Sequence, residues 1–200
     1  MGFIQQFRFD PDYNFRWVGS SGTSAANPQL AFFENYWGMN LKSVFAYSNG
    51  TLSVHAVNIP LSINFNSVVM ALSQSATSTR NFTIQFGLFS LNGSTLSLAN
   101  SASANPTFVN AVSWVSMVTS ATQNITPGPW YFGINILSGG VSSATLFGNT
   151  SYNPSNAFPG NVMYGRMTVS TNAMPANINT SDLDVTGSDV IRFPYIIITA

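Results

Sequence analysis

Asn81-Phe-Thr-Ile-Gln-Phe-Gly-Leu-Phe-Ser-Leu-Asn-Gly-Ser-Thr-Leu-Ser-Leu98 decides the fold. Phe82, Ile84, Phe86 and Leu88 alternate with Asn81, Thr83, Gln85 and Gly87. A period of two puts the first set on the core face of a strand and the second toward water. Asn92-Gly93 follows and suits the centre of a type I′ turn, where both central residues need positive φ. The return strand runs from Thr95 to Ser101, with Leu96 and Leu98 on its apolar face. The stretch predicts an antiparallel hairpin.

The same period recurs outward from it. Leu52, Val54, Ala56 and Ile59 lead to Pro60, where a strand ends or bends. Leu61, Ile63 and Phe65 alternate, and Val68 to Leu72 follow. Trp114–Val118 reads as a short, mostly apolar strand. Thr126-Pro127-Gly128-Pro129 reads as a turn that launches Trp130 to Ile136. Ala144–Phe147, Val162–Val169 and Phe193–Thr199 complete the set. Helical periodicity extends nowhere beyond about two turns. Short strands between Gly, Pro, Asn and Ser turns predict an all-β antiparallel β-sandwich or jelly roll.

Charge is nearly absent from that region. From Ser43 to Gly165, 123 residues, Arg80 is the one permanently charged side chain. Charged residues make up 6% of the 200, against roughly 25% in ordinary domains. Ser, Thr and Asn supply 66 residues, so the polar surface is built from hydroxyls and amides. Such groups hydrogen-bond without Coulomb repulsion, and like chains can pack side by side. Zero net charge gives no attraction to nucleic acid or acidic lipid and favours association with other chains. The first 42 residues differ, holding Arg8, Asp10, Asp12, Arg16, Glu34 and Lys42, half of the twelve charges. With the Gly19–Ser24 joint they read as an attachment arm over residues 1–40 ahead of a domain over 41–200. The other reading makes Phe3–Phe9 and Phe15–Val18 the first strands of that domain.

The absence of cysteine excludes disulfides, zinc-thiolate sites and a thiol nucleophile. The opening residues lack the pattern of a secretory signal, and no run reaches the 18 apolar residues of a membrane helix. Six Asn-x-Ser/Thr sequons occur, about what composition alone gives.

Few groups are left for catalysis. His55, the one histidine, lies on the polar phase of its strand with no carboxylate near it in sequence, and reads as a structural or surface residue. Asp182, Asp184 and Asp189 cluster near a Gly turn, but their spacing departs from a calcium loop, so a solvated turn is expected. There is no nucleophile elbow, no phosphate loop and no basic patch, and Glu34 is the one glutamate. The chain reads as a non-enzyme without cofactor or metal. Its remaining resource is aromatic: a ring face beside amides and hydroxyls suits a sugar. Tyr152 and Phe158, in proline-containing loops, with Trp130 and Tyr164, are the candidate glycan contacts. Trp114 and Phe132, on strands, are expected in the core.

Four stretches carry a family resemblance: Gly87-Leu-Phe-Ser-Leu-Asn-Gly-Ser-Thr-Leu-Ser-Leu-Ala-Asn-Ser101, Thr126-Pro-Gly-Pro-Trp-Tyr-Phe-Gly-Ile134, Thr171-Asn-Ala-Met-Pro175 and Arg192-Phe-Pro-Tyr-Ile-Ile-Ile198. In order and turn pattern, residues 41–200 resemble a class of tailed-bacteriophage virion proteins. The resemblance implies a homotrimeric β-rich module at a tail-fibre or baseplate tip, binding host-surface glycan and joined to other virion proteins through residues 1–40. With only about 40 residues ahead of the module, a head decoration (cement) protein on the capsid is the second expectation. A secreted carbohydrate-binding module and an outer-membrane barrel stand further off. No nucleic acid and no membrane insertion are expected.

Overall fold

A computed structural model describes residues 17–20, 29–32, 43–47, 50–59, 62–73, 80–108, 112–138, 144–152, 164–169, 173–184, 190–194 and 196–199. These form fifteen strands: β1 Trp17–Ser20, β2 Gln29–Phe32, β3 Ser43–Tyr47, β4 Thr51–Ile59, β5 Ile63–Ser73, β6 Arg80–Asn92, β7 Thr95–Ala104, β8 Thr107–Phe108, β9 Val112–Ile125, β10 Gly128–Ser138, β11 Ala144–Tyr152, β12 Tyr164–Thr168, β13 Asn177–Asn179, β14 Val190–Pro194 and β15 Ile196–Thr199. One 3-10 turn, Thr180–Asp182, is the sole helical element among the described residues. All strand pairs in the described chain are antiparallel. The all-β antiparallel reading therefore holds.

The main path runs β1-β2-β15-β5-β9-β7-β6-β10-β4-β12. Its weakest link is β9 to β7, a single pair, Ala102 with Thr119. On one side of that link lies a sheet containing β5, β9 and β15, and on the other lies β7-β6-β10-β4-β12. Within residues 1–40, β1 and β2 are strands at the far end of this path; the rest of that segment lies outside the described residues.

Alternation builds one core between the two groups of strands. Phe65, Val68 and Met70 of β5, Val115 and Met117 of β9 and Ile196 and Ile198 of β15 pack with Phe82, Ile84, Phe86 and Leu88 of β6 and Phe132, Ile134 and Ile136 of β10. Phe86 joins the layers. Its ring centroid lies 5.8 Å from Phe65 and 5.2 Å from Phe132, both tilted by 59°, a favourable aromatic arrangement.

The expectation that β6 is half-buried is corrected. On its other face Gln85, Gly87 and Phe89 are buried too. A second core lies there, made of Leu52, Val54, Ala56, Phe89, Leu96, Tyr131, Val169, Ile178 and Leu183. The chain from Ala173 to Asp184 closes it. β13 pairs with β7, and the Ala176 and Ser94 carbonyls accept from Leu98 and Thr180 N–H at 2.9 and 2.8 Å. Five residues beyond β13, Asp184 exchanges two backbone hydrogen bonds with Arg166 of β12, at 3.0 and 2.7 Å. One strap thus holds both edge strands of β7-β6-β10-β4-β12, and its buried Ile178 and Leu183 face the second core. Full burial of each is worth about 1.5–3 kcal/mol.

Glycine makes room beneath this strap. In the register Gly165↔Val54↔Gly133↔Gly87, three of four positions lack a Cβ. A Cβ on Gly133 would stand 2.6 Å from Phe89 Cε2, and one on Gly165 would stand 2.7 Å from Leu183 Cβ. The Phe89 ring fills the space a side chain at 133 would take.

Two bulges turn the strands between cores. In β7, Leu98 pairs with Phe89 but Asn100 pairs with Leu88, leaving Ala99 extra. Leu96 and Leu98 therefore serve the second core, and Ala102 the first. The β5–β9 register also slips, between Phe65 and Ser67, which is why Phe65 and Val68, of opposite parity, both point inward. Asn100 ties the bulges together. Its Nδ2 donates to the Ala121 carbonyl at 2.6 Å, and its Oδ1 accepts from Ser101 N–H at 2.8 Å and the Ser120 hydroxyl at 3.3 Å.

The hairpin turn is also corrected. Asn92 pairs with Thr95, so Gly93-Ser94 are the central residues and Gly93 carries φ +61°. Glycine first is the type II′ pattern. Asn92 is the last paired residue and needs no positive φ.

Three substitutions test this architecture by urea unfolding. Phe86→Ala removes the ring shared by both layers and is expected to cost about 3–5 kcal/mol; a loss below ~1 kcal/mol would contradict its placement. Gly133→Ala drives a methyl into the Phe89 ring and should cost roughly 1–3 kcal/mol. Gly93→Val forces a β-branched residue to positive φ, and a loss of about 1–2 kcal/mol is expected.

Candidate functional site

His55, the one imidazole in the chain, pairs with Phe132 of β10 and Tyr164 of β12. It thus shares the face of β4 that looks into the first core and is fully buried. The polar phase of β4 is therefore not its wet phase, since Ser53 on the same face is also buried. Burial lowers the His55 pKa from 6.5 to about 3, because the charged imidazolium loses its hydration. At neutral pH the ring is an uncharged core side chain.

On the opposite face of the same strands, Asn135 donates from Nδ2 to Gln85 Oε1 at 2.9 Å. Both are buried, and Asn135 Oδ1 has no hydrogen-bond partner among the described atoms. An unsatisfied buried carbonyl costs roughly 1–3 kcal/mol.

Asp182 and Asp184 belong to the strap. Asp182 is exposed and accepts from Asn179 Nδ2 at 3.2 Å. Asp184 lies 4.0 Å from Arg166, an ion pair with both side chains well exposed and so of little weight beside the two backbone bonds. Asp189 lies outside the described residues. Among the described residues no three His, Cys, Asp or Glu side chains group to hold a metal, and no helix is long and apolar enough to cross a membrane.

The four glycan candidates separate. Trp130 on β10 and Tyr164 on β12 flank β4, Trp130 opposite Val57 and Tyr164 opposite His55. Trp130 is half-buried against the first core. Its Nε1 donates to the Thr126 carbonyl at 2.9 Å, which fixes the indole over the turn that precedes it. Tyr152 is not in a loop: it ends β11, opposite Val190. Phe158 lies outside the described residues.

Trp114 reverses its expectation. Phe132 is buried as expected, but Trp114 is 58% exposed, and Val118 on the same strand is 74% exposed. The signal was present in the strand itself. Trp114, Ser116, Val118 and Ser120 share one parity and are exposed, while Val115, Met117 and Thr119 are buried. Reading Trp114–Val118 as a mostly apolar strand hid that alternation.

The described surface elsewhere is sparsely charged, and its own side chains cross-link it. Thr83 donates to Asn105 at 2.8 Å, Thr107 to Asn81 at 2.9 Å and Ser97 to Asn177 at 3.1 Å, all exposed. Such ladders hold hydroxyls and amides in fixed positions on the sheet. The arrangement is suited to recognising neutral polar partners by hydrogen bonds and ring faces.

No protein-family model matches the chain, and a search of curated proteins found no match.

His55 gives a pH signature. Its folded pKa lies below its unfolded value, so between pH 6.5 and about 3 the unfolded chain binds more protons and stability falls as pH falls. From pH 6.5 to 5, urea stability should drop by up to about 1.4 kcal/mol per pH unit. His55→Asn should flatten that slope; an unchanged slope would contradict the burial.

Proposed function

We propose that this chain is a non-enzymatic structural protein of a tailed-phage virion, serving at a tail-fibre or baseplate tip that adheres as a trimer to host-surface glycan. The observation that supports this most is the sparsely charged antiparallel surface, where exposed Thr, Ser and Asn side chains are locked in cross-strand ladders. Such a surface lets identical copies stand close together without repulsion. It also offers donors and acceptors at fixed spacing, the chemistry that meets sugar hydroxyls. Half-buried Trp130 is the contact we favour, with Tyr164, Tyr152 and Phe158 as further candidates. The two-layer strand arrangement supports the finer description as a β-sandwich of jelly-roll type, and residues 1–40 are proposed to dock on other virion proteins.

The second reading, a head decoration protein, rests on the same surface with the capsid as partner. Immunogold labelling of intact phage particles with antibody to this chain separates the two. Gold at the tail tip is expected, and should be followed by binding on a host-envelope glycan panel that Trp130→Ala weakens. Gold over the head would make the decoration reading correct, and unlabelled particles would refute both.

A further inference from the structure

We propose that Asn92 is a spontaneous modification site, where the Asn92-Gly93 turn converts its side-chain amide to aspartate and isoaspartate by reaction with water. The first step is intramolecular. The Gly93 main-chain nitrogen gives up its proton and attacks Asn92 Cγ. The new C–N bond closes a five-membered imide, the Cγ–Nδ2 bond breaks, and the amide nitrogen leaves as ammonia. Water then opens the imide. Addition at Cγ breaks the new bond and leaves aspartate. Addition at the main-chain carbonyl breaks the original peptide bond and leaves isoaspartate, whose main chain runs through the side-chain carbon. Water is the one co-reactant.

Asparagine is a thermolabile residue, and a following glycine has no Cβ to crowd the attacking nitrogen. The chain holds two such pairs, Asn49-Gly50 and Asn92-Gly93, and the fold treats their glycines differently. Gly50 is pinned on both sides. Its N–H donates to the Ile136 carbonyl at 3.4 Å, and its carbonyl accepts from Val169 N–H at 2.9 Å. Attack by that nitrogen first requires its bond to Ile136 to break. Gly93 is exposed, and a Cβ there would meet nothing within 4 Å. Its N–H lies beyond the ladder, which ends at the Asn92–Thr95 pair, and has no hydrogen-bond partner among the described residues. The Asn92 side chain is exposed and likewise bonds to none of them, so nothing holds Cγ away from the nitrogen.

The products change the chain in two ways. Between Ser43 and Gly165, Arg80 is the one permanently charged side chain, and a carboxylate at position 92 becomes the second. Isoaspartate also lengthens the main chain by one carbon just before Ser94, whose carbonyl holds the strap through Thr180 N–H at 2.8 Å. The turn thus couples the age of the chain to the hold on its strap. The inference does not depend on the virion reading.

The test ages the full chain in warm, mildly alkaline buffer and follows it by isoelectric focusing and peptide mass mapping. A more acidic species should accumulate, with aspartate and isoaspartate at position 92. Asn92 should convert roughly fivefold or more faster than Asn49, the ratio that one hydrogen bond supplies. In urea, where the fold no longer separates the two pairs, their rates should converge. Asn92→Ser should abolish the first acidic species with an unchanged circular dichroism spectrum. Hydrogen exchange at the Thr180 amide should quicken in the isoaspartate form but not in freshly made Asn92→Asp, which adds the charge without lengthening the main chain. An Asn92 that stays intact, an Asn49 that converts as fast in the folded chain, a ratio that persists in urea, or a Thr180 amide that exchanges alike in both forms would each overturn the proposal.

Discussion

β6 and β10 have no wet face along their middles, and the rest of the chain is arranged to cover them. Phe86 and Phe132 look into one core, while Phe89 and Tyr131 look into the other. An antiparallel sheet commonly leaves one face to solvent; here each face needs its own cover. β5, β9 and β15 supply it on one side. On the other side the cover is a strap of about a dozen residues whose ends are pinned by backbone hydrogen bonds to β7 and β12. Because main-chain bonds do the pinning, the strap needs no charged side chains, and the one ion pair at its end adds little.

The polar groups inside obey the same economy. Asn100 is buried beside a bulge, and its amide donates to the Ala121 carbonyl, which also accepts from the Thr119 hydroxyl. His55 is buried uncharged. In a chain with so few ionisable groups, the interior tolerates amides and a neutral imidazole, each a smaller desolvation cost than a charge.

Period two made most strands legible. Phe82, Ile84, Phe86 and Leu88 announced their inward face, and Pro60 marked the end of β4. Even the change of phase between Phe65 and Val68 was written in the sequence, and it is the bulge. The double burial was not legible. Gln85 and Gly87 look like solvent-facing residues, yet both are buried, and Met174 of the strap, 87 residues on, lies against Gly87. The turn was misplaced by one residue because Asn-Gly and Gly-Ser are both good hairpin centres, and pairing of Asn92 with Thr95 decides between them. Of the candidate site, the placing of Trp130 and Tyr164 on the two strands that flank β4 depends on strand pairing, which local pattern does not contain. Trp114 was misjudged because its exposure depends on which face of β9 a partner layer covers.

The strap has a consequence for how the chain acquires its structure. Strands β4, β6, β7 and β10 are complete by residue 138, but the segment that covers their second face begins at Ala173. During synthesis a sheet already paired would present Leu52, Val54, Phe89 and Tyr131 uncovered until that segment emerges. Non-local pairing is slow, and exposed strand surface invites aggregation. The second core therefore closes only once residues 173–184 have emerged, and the first still waits for Ile196 and Ile198 of β15.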